Sequence, residues 1–141
     1  MNRNNNSQLL NNKGMTLLEI MIVLAILGGL ITILAGQVTQ RLAAARVKEA
    51  KIQIAELGKA LDMFYTDCGF YPEGGLEELV NAPSNCPNWG PDPYLKKVPK
   101  DPWGNDYDYQ YEDGSYVLFS YGEDRKPGGD GTAKDISSEE L

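Results

Sequence analysis

Apolar residues fill positions 15 to 38 almost without a break; from there the pattern thins to one apolar position in every three or four. Besides glycines, only Thr16, Glu19, Thr32 and Gln37 interrupt the first run. At about 1.5 Å per residue, a helix of that length crosses a hydrocarbon core of about 30 Å. In the second stretch Ala43, Val47, Ala50, Ile54, Leu57, Leu61 and Phe64 recur at alternating spacings of four and three, which is one stripe on a helix. Arg46, Lys48, Glu49, Lys51, Gln53, Glu56, Lys59 and Asp62 fall between them and suit a wetted face. No proline occurs in residues 15 to 66, so the pattern predicts one helix of about fifty residues. The stripe has two readings, a coiled-coil seam or a face packed on the chain's own C-terminal region. The repeat lasts only about three heptads and that region needs a core, which favours the second.

Beyond Cys68 the chain turns to Gly, Pro, Asn and aromatics. Residues 75 to 81 read as a short helix. Tyr107, Tyr109 and Tyr111 alternate with Asp108 and Gln110, Asp113-Gly114 is a tight-turn pair, and Tyr116 to Ser120 follows as a second strand. A lone hairpin is marginal, so it should pack on the amphipathic helix, with a third strand near Tyr94 or Ile136. In "KDPWGNDY", Pro102, Trp103 and Gly104 read as a buried turn seating the sheet on the helix. The expected fold class is α+β: a long N-terminal helix carrying a small antiparallel sheet. The expected organisation is a leader at 1–14, a membrane-spanning half-helix at 15–38, an amphipathic half-helix at 39–66 and a globular region at 67–141.

Composition narrows the chemistry. The chain of 141 residues has no histidine, which removes Ser-His-Asp and Cys-His catalysis and imidazole-ligated zinc. Neither a GxxxxGK[ST] loop nor a GxGxxG turn is present, so nucleotide chemistry has no support and no enzyme is expected. The net charge of −7 argues against nucleic acid as a partner. That charge is uneven. Residues 1 to 14 carry Arg3 and Lys13 and no acid, leaving 11 basic and 20 acidic groups, net −9, in the rest. Positive charge before the apolar run and negative charge after it place the N-terminus in the cytoplasm. A secretory signal peptide is the rival reading of the run, but its apolar region is typically about 7 to 15 residues and ends at a small-residue site.

Four features are candidates for function. Glu19 is a carboxylate inside an apolar helix, where charges are costly and usually paired, unless it snorkels to the membrane edge. Gly28, Thr32 and Gly36 lie four apart, a spacing that lets helices approach closely and that is also ordinary in membrane helices. Cys68 and Cys86 read as one disulfide outside the cytoplasm, or as two separate small core residues. Asp124, Asp130 and Asp135 occupy a glycine-rich loop that is either a solvated acidic turn or a site for a hard cation such as calcium.

"KGMTLLEIMIVLAILGGL" is similar to the cleavage-and-assembly segment of type IV prepilins, whose usual form is Lys-Gly followed by Phe-Thr-Leu-Leu-Glu and an apolar helix. "ALDMFYTDCGFYP", "LEELVNAP", "YLKKVPKDPWGNDYDY" and "LFSYGEDRKPGGDGTAKDI" resemble the major pseudopilins of type II secretion systems, and the likeness runs from Lys13 to Ile136. It implies cleavage after Gly14 by a prepilin peptidase and methylation of the new amine on Met15, which stands where phenylalanine is usual. It implies that Glu19 meets the N-terminal amine of a neighbouring subunit in a filament. For the acidic loop it implies calcium held by Asp124 and Asp135, with backbone oxygens of Tyr121 and Lys126 and with Asp130 as a further candidate. Arg125 replaces a usual glycine there, and Lys134 replaces a usual acid. The resemblance also implies that the cysteine pair is peculiar to this chain.

By that resemblance the chain is a non-catalytic subunit of a periplasmic pseudopilus that exports folded proteins across the outer membrane. Its expected partners are itself as a helical homopolymer, the minor pseudopilins, the prepilin peptidase, the inner-membrane assembly platform with its ATPase, and the outer-membrane secretin. It is expected in the bacterial inner membrane as a single-pass chain before assembly. Alternatives are a true type IV pilin and a membrane-tethered calcium-binding module that never polymerises. Pilins usually end in a disulfide-bounded C-terminal loop, whereas both cysteines here precede the hairpin.

Overall fold

The computed structural model describes residues 14 to 141, so the expected leader at 1–14 lies outside the described residues except for Gly14. One helix dominates: α1 runs from Leu17 to Cys68, 52 residues without a break. It starts where the Thr16 hydroxyl accepts a hydrogen bond from the Glu19 N–H at 3.2 Å, capping one of the orphan donors of the first turn. It stops where Gly69 turns left-handed at φ 79°, the usual way a helix ends. The chain divides into two compact units, one ending at Thr39 and one spanning Gln40 to Leu141.

In the first unit the helix is long and apolar enough to cross a membrane, and its side chains are exposed throughout. In the second unit the predicted stripe faces a core. Ala50, Ile54, Leu57, Leu61 and Phe64 are buried, and Ala43 and Val47 are half-buried at its upper end. Burying each of the large members contributes about 1.5–3 kcal/mol. They pack with Leu76, Leu79, Tyr107, Leu118 and Ile136, so the stripe serves the chain's own globular part. Gly58, mid-helix, lets the Tyr116 hydroxyl approach: a Cβ there would stand 3.2 Å from that oxygen.

The sheet has three antiparallel strands in the order β1 (Asp108–Glu112), β2 (Ser115–Ser120) and β3 (Ile136–Ser137). Strand β1 pairs with β2 from Asp108↔Phe119 to Glu112↔Ser115. Asp113 and Gly114 close the hairpin with φ of 50° and 80°, the two left-handed residues of a type I′ turn. The third strand is the Ile136 alternative, paired through Ser120↔Ile136 and Phe119↔Ser137. Tyr94 instead packs edge-on against Phe64 and Trp89 and donates its hydroxyl to Asp67 at 2.7 Å. Residues 75 to 81 form a tighter element than expected, a 3-10 helix at Leu76–Leu79 with Leu76 and Leu79 buried.

The turn after Pro99 also differs from expectation. Pro102 and Trp103 are only half-buried and Gly104 is exposed; the buried residue is Asp101. Its Oδ1 accepts from the N–H groups of Trp103 (3.1 Å) and Asn105 (2.7 Å), and its Oδ2 accepts from the Ser120 hydroxyl at 2.8 Å. A buried carboxylate is tolerable because both of its oxygens accept hydrogen bonds from those three donors, and the result is a polar rivet between this turn and β2.

Candidate functional site: the helix head, the disulfide and the acidic loop

The helix head gathers Gly14, Met15, Thr16 and Glu19. Thr16 and Glu19 occupy the N-cap and N3 positions, the Thr-x-x-Glu signature of a capping box, with the Thr16 half made. The Glu19 carboxylate is exposed, and no described residue forms a salt bridge with it. An acid in the first turn also faces the positive end of the helix dipole. Further along, the Thr32 hydroxyl donates to the Gly28 carbonyl at 2.9 Å, and the helix continues unbroken through Gly36. A Cβ at Gly28, Gly29 or Gly36 would meet nothing within 4 Å, so the helix surface is bare at all three.

Cys68 and Cys86 are joined as a disulfide, with Cα atoms 5.2 Å apart at a sequence separation of 18. The bridge ties the last residue of α1 to the loop that carries Trp89. The Trp89 indole N–H donates to the Glu78 carbonyl at 2.8 Å, so this loop is also held to the 3-10 helix.

The acidic loop folds back on itself after β2. Asp124 accepts the Lys126 N–H at 3.1 Å. Arg125 is left-handed at φ 59°, the conformation that suits the glycine the resemblance leads one to expect there. Asp135 reaches across the loop: its Oδ2 accepts the Gly128 N–H at 2.8 Å, and its Oδ1 is buried with no hydrogen-bond partner. Gly129, left-handed at φ 87°, passes so close to the Ala133 carbonyl that a Cβ would collide with it. Asp130 is exposed, and its carbonyl accepts from the Ala133 N–H at 3.1 Å. Among the described residues no three His, Cys, Asp or Glu side chains converge, so Asp124, Asp130 and Asp135 do not form a carboxylate trio. The orphaned, buried Asp135 oxygen is what a hard cation would satisfy, since calcium takes carboxylate and carbonyl oxygens alike.

Beside this loop the Tyr121 hydroxyl donates to Asp108, and that bond, together with burial and the charges of Asp108 and Asp135, raises the tyrosine's pKa. Asp101 and the half-made capping box are the structural residues that sequence reasoning passed over. The Thr-x-x-Glu spacing was a usable signal for the second. An Asp preceding Pro-x-Gly signals a turn but not that its carboxylate is buried.

Comparison with known proteins identifies the family. The family described as type II secretion system protein G matches residues 37–139, and the prokaryotic N-terminal methylation motif matches residues 9–35. The type II secretion system core protein G of Pseudomonas aeruginosa is 44% identical over 132 residues, covering 89% of this chain and 93% of that one. Its counterpart from Vibrio cholerae is 40% identical, covering 89% and 90%. Among solved structures, the major pseudopilin of the type 2 secretion system of enterohaemorrhagic Escherichia coli superimposes with a TM-score of 0.56 at 34% identity, covering 70% of this chain and 90% of that one. The chain therefore belongs to the type II secretion system protein G family.

Proposed function

We propose that the chain is the structural subunit that polymerises into the periplasmic pseudopilus of a type II protein secretion system. The observation that carries this reading is the split character of α1 in a member of this family. One part is apolar and exposed on all sides, and the other is spent on a private core. Such a subunit has no use for a reaction; its work is to leave one solvent, the bilayer, for another, the packed helices of its copies. Before assembly it lies in the inner membrane with its N-terminus in the cytoplasm. A prepilin peptidase cuts after Gly14, and the amine of Met15 is methylated. The assembly platform with its ATPase, the minor pseudopilins and the secretin are its further partners.

Glu19 then recognises the N-terminal amine of a neighbouring subunit. Either charge alone is costly in hydrocarbon, and the pair offsets that cost. The Thr16 cap fixes the first turn and so fixes where the Glu19 carboxylate is carried. The acidic loop holds calcium through Asp124 and Asp135, with the Tyr121 and Lys126 carbonyls; Asp130, exposed and apart, is the least supported of its candidates. Bound calcium supplies the positive charge that two carboxylates on one loop lack. Both cysteines lie before the hairpin, which favours this reading over a type IV pilin. Replacing Glu19 by Ala tests the proposal: membrane insertion should be retained and filament yield should collapse. Normal filaments from that variant would overturn the role given to Glu19.

A further inference from the structure

Strand β1 is an open edge of the sheet, since β2 lies between it and β3. The two-residue turn at Asp113-Gly114 makes Glu112↔Ser115 a hydrogen-bonded pair, and by alternation Gln110↔Val117 and Asp108↔Phe119 as well. The N–H and C=O groups of Tyr109 and Tyr111 therefore point away from β2. The Leu118 N–H, opposite Tyr109, fixes this phase: it also points away, donating to the Ser138 hydroxyl at 3.0 Å. Among the described residues no backbone group pairs with the outward groups of Tyr109 and Tyr111. Nearer the Asp101 turn the chain closes its own edge, where Lys100 bridges Asp106 in antiparallel fashion. Upstream it draws away, and the Leu95 N–H bonds instead to the Leu79 carbonyl at 3.1 Å. Beside the strand lies a groove of about 480 Å³, within the range of about 300–1,000 Å³ usual for ligand sites. Tyr107 and Tyr109 line it from the strand and Gly74 to Glu77 from the loop, while Leu76 and Val98 make it apolar. Its charge is one-sided. Glu77 and Asp106 line it, and the one base that does, Lys100, is 2.9 Å from Asp106. Asp108 and Glu112 add two acids on the other face of the strand, and the exposed Lys96 and Lys97 line no part of the groove.

We infer that the β1 edge takes an extended basic segment of another protein as a fourth, antiparallel strand. A residue opposite Tyr109 or Tyr111 would exchange two backbone hydrogen bonds with it and share its face, so apolar side chains there enter the groove. The residues between them fall on the face of Asp108 and Glu112, where Lys or Arg is matched. Backbone pairing supplies the affinity and the alternation supplies the selectivity, as in other strand additions. A second copy of this chain is the poorer occupant. Pairing two β1 edges about a two-fold axis in the register that engages both tyrosines sets Asp108 against Glu112 twice, and like charges directly opposite destabilise a sheet. The contact uses neither the membrane segment nor the acidic loop, so its failure would leave the pseudopilus reading untouched.

The test titrates the full-length chain, solubilised in a neutral detergent, into dye-labelled acetyl-Lys-Val-Lys-Val-Lys-amide and reads fluorescence anisotropy. Binding should be saturable. It should vanish when both valines are N-methylated and persist when only the central lysine is, because only the valine N–H groups face the edge. The counterpart with glutamate in place of lysine should not bind. Glu77→Lys with Glu112→Lys should weaken the lysine peptide several-fold and admit the glutamate one. Tyr111→Pro removes an outward donor that makes no bond within the sheet. It should weaken binding by about tenfold, with Tyr111→Ala, which keeps that N–H, binding more tightly than the proline variant. Should the proline unfold the chain, the N-methylated peptides still decide, since they leave the protein unaltered. Binding that survives valine N-methylation would mean that charge alone holds the peptide, and would overturn the inference. So would no binding of the lysine peptide, or equal binding of the glutamate one. Dimers of the wild-type chain that Tyr111→Pro abolishes would give the edge to a second copy and overturn it as well.

Discussion

The two ends of α1 obey the same backbone rules and make opposite use of their side chains. Near the start Leu17 is 79% exposed and Leu34 61%; near the end Leu57 is 1% and Leu61 0%. Helix propensity does not separate them, since Leu and Ile fill the first part and Ala, Leu, Lys and Glu, helix formers as good or better, fill much of the second. What separates them is the solvent each was selected for. The second part meets Leu79, Leu118 and Ile136 from its own chain, and its other face is charged. The first meets no partner within the described chain and has no charged face, so water is the wrong solvent for it. Apolar surface left bare on this scale marks contact with lipid or with other molecules. One helix thus carries both a foldable unit and an unfinished one, and the unfinished part is where function lies.

The sharpest way to break this contrast is to damage the core end alone. Phe64→Ala should lower the stability of the globular unit by about 3–5 kcal/mol, read by denaturant unfolding of the solubilised chain, and leave membrane insertion intact. A fall in insertion would mean that the halves are not energetically separate. Calcium should act on the same unit and not on the membrane segment. Millimolar calcium should raise the melting temperature, with stabilisation of about 2.7 kcal/mol at a hundredfold excess over the dissociation constant, and Asp135→Asn should remove the response. A rise that survives that substitution would displace the ion from the acidic loop.

The smallest effect concerns Tyr107, whose pKa is raised by burial first and by the charges of Asp101 and Glu49 next. Its hydroxyl donates to Gln53 on the helix. A phenol with a raised folded-state pKa keeps its proton while the unfolded chain loses one. Stability is therefore full below about pH 10 and falls above it, by at most about 1.4 kcal/mol per pH unit for this group. Tyr107→Phe should flatten that alkaline slope. An unchanged slope would assign the alkaline loss to other groups.

Much of this was legible in residue patterns. The stripe from Ala43 to Phe64 predicted which helix face is buried, because a 3.6-residue period leaves little choice of side. Asp113-Gly114 predicted the hairpin, because few other pairs accept two left-handed residues in succession. The helix ends shifted by two residues, since a Thr16 hydroxyl and the glycine after Cys68, not apolarity, decide them. The disulfide pairing became definite only with the loop fold that brings Cys86 back to the end of α1. Least legible was Asp101. A carboxylate becomes a core residue only when a turn and a distant strand supply three donors at once, and no local pattern encodes Ser120's part in that. In the acidic loop, residue pattern set three aspartates side by side and the resemblance favoured Asp124 and Asp135 over Asp130, whereas of the three the fold gives only Asp135 a buried oxygen without a partner.

The central claim is that the exposed end of α1 is a processed assembly segment. Mass spectrometry of the chain's N-terminus, in cells that carry the prepilin peptidase, tests it most directly. The account predicts a chain beginning at Met15 with one added methyl group on its amine. A chain that still begins at Met1 in those cells would contradict it.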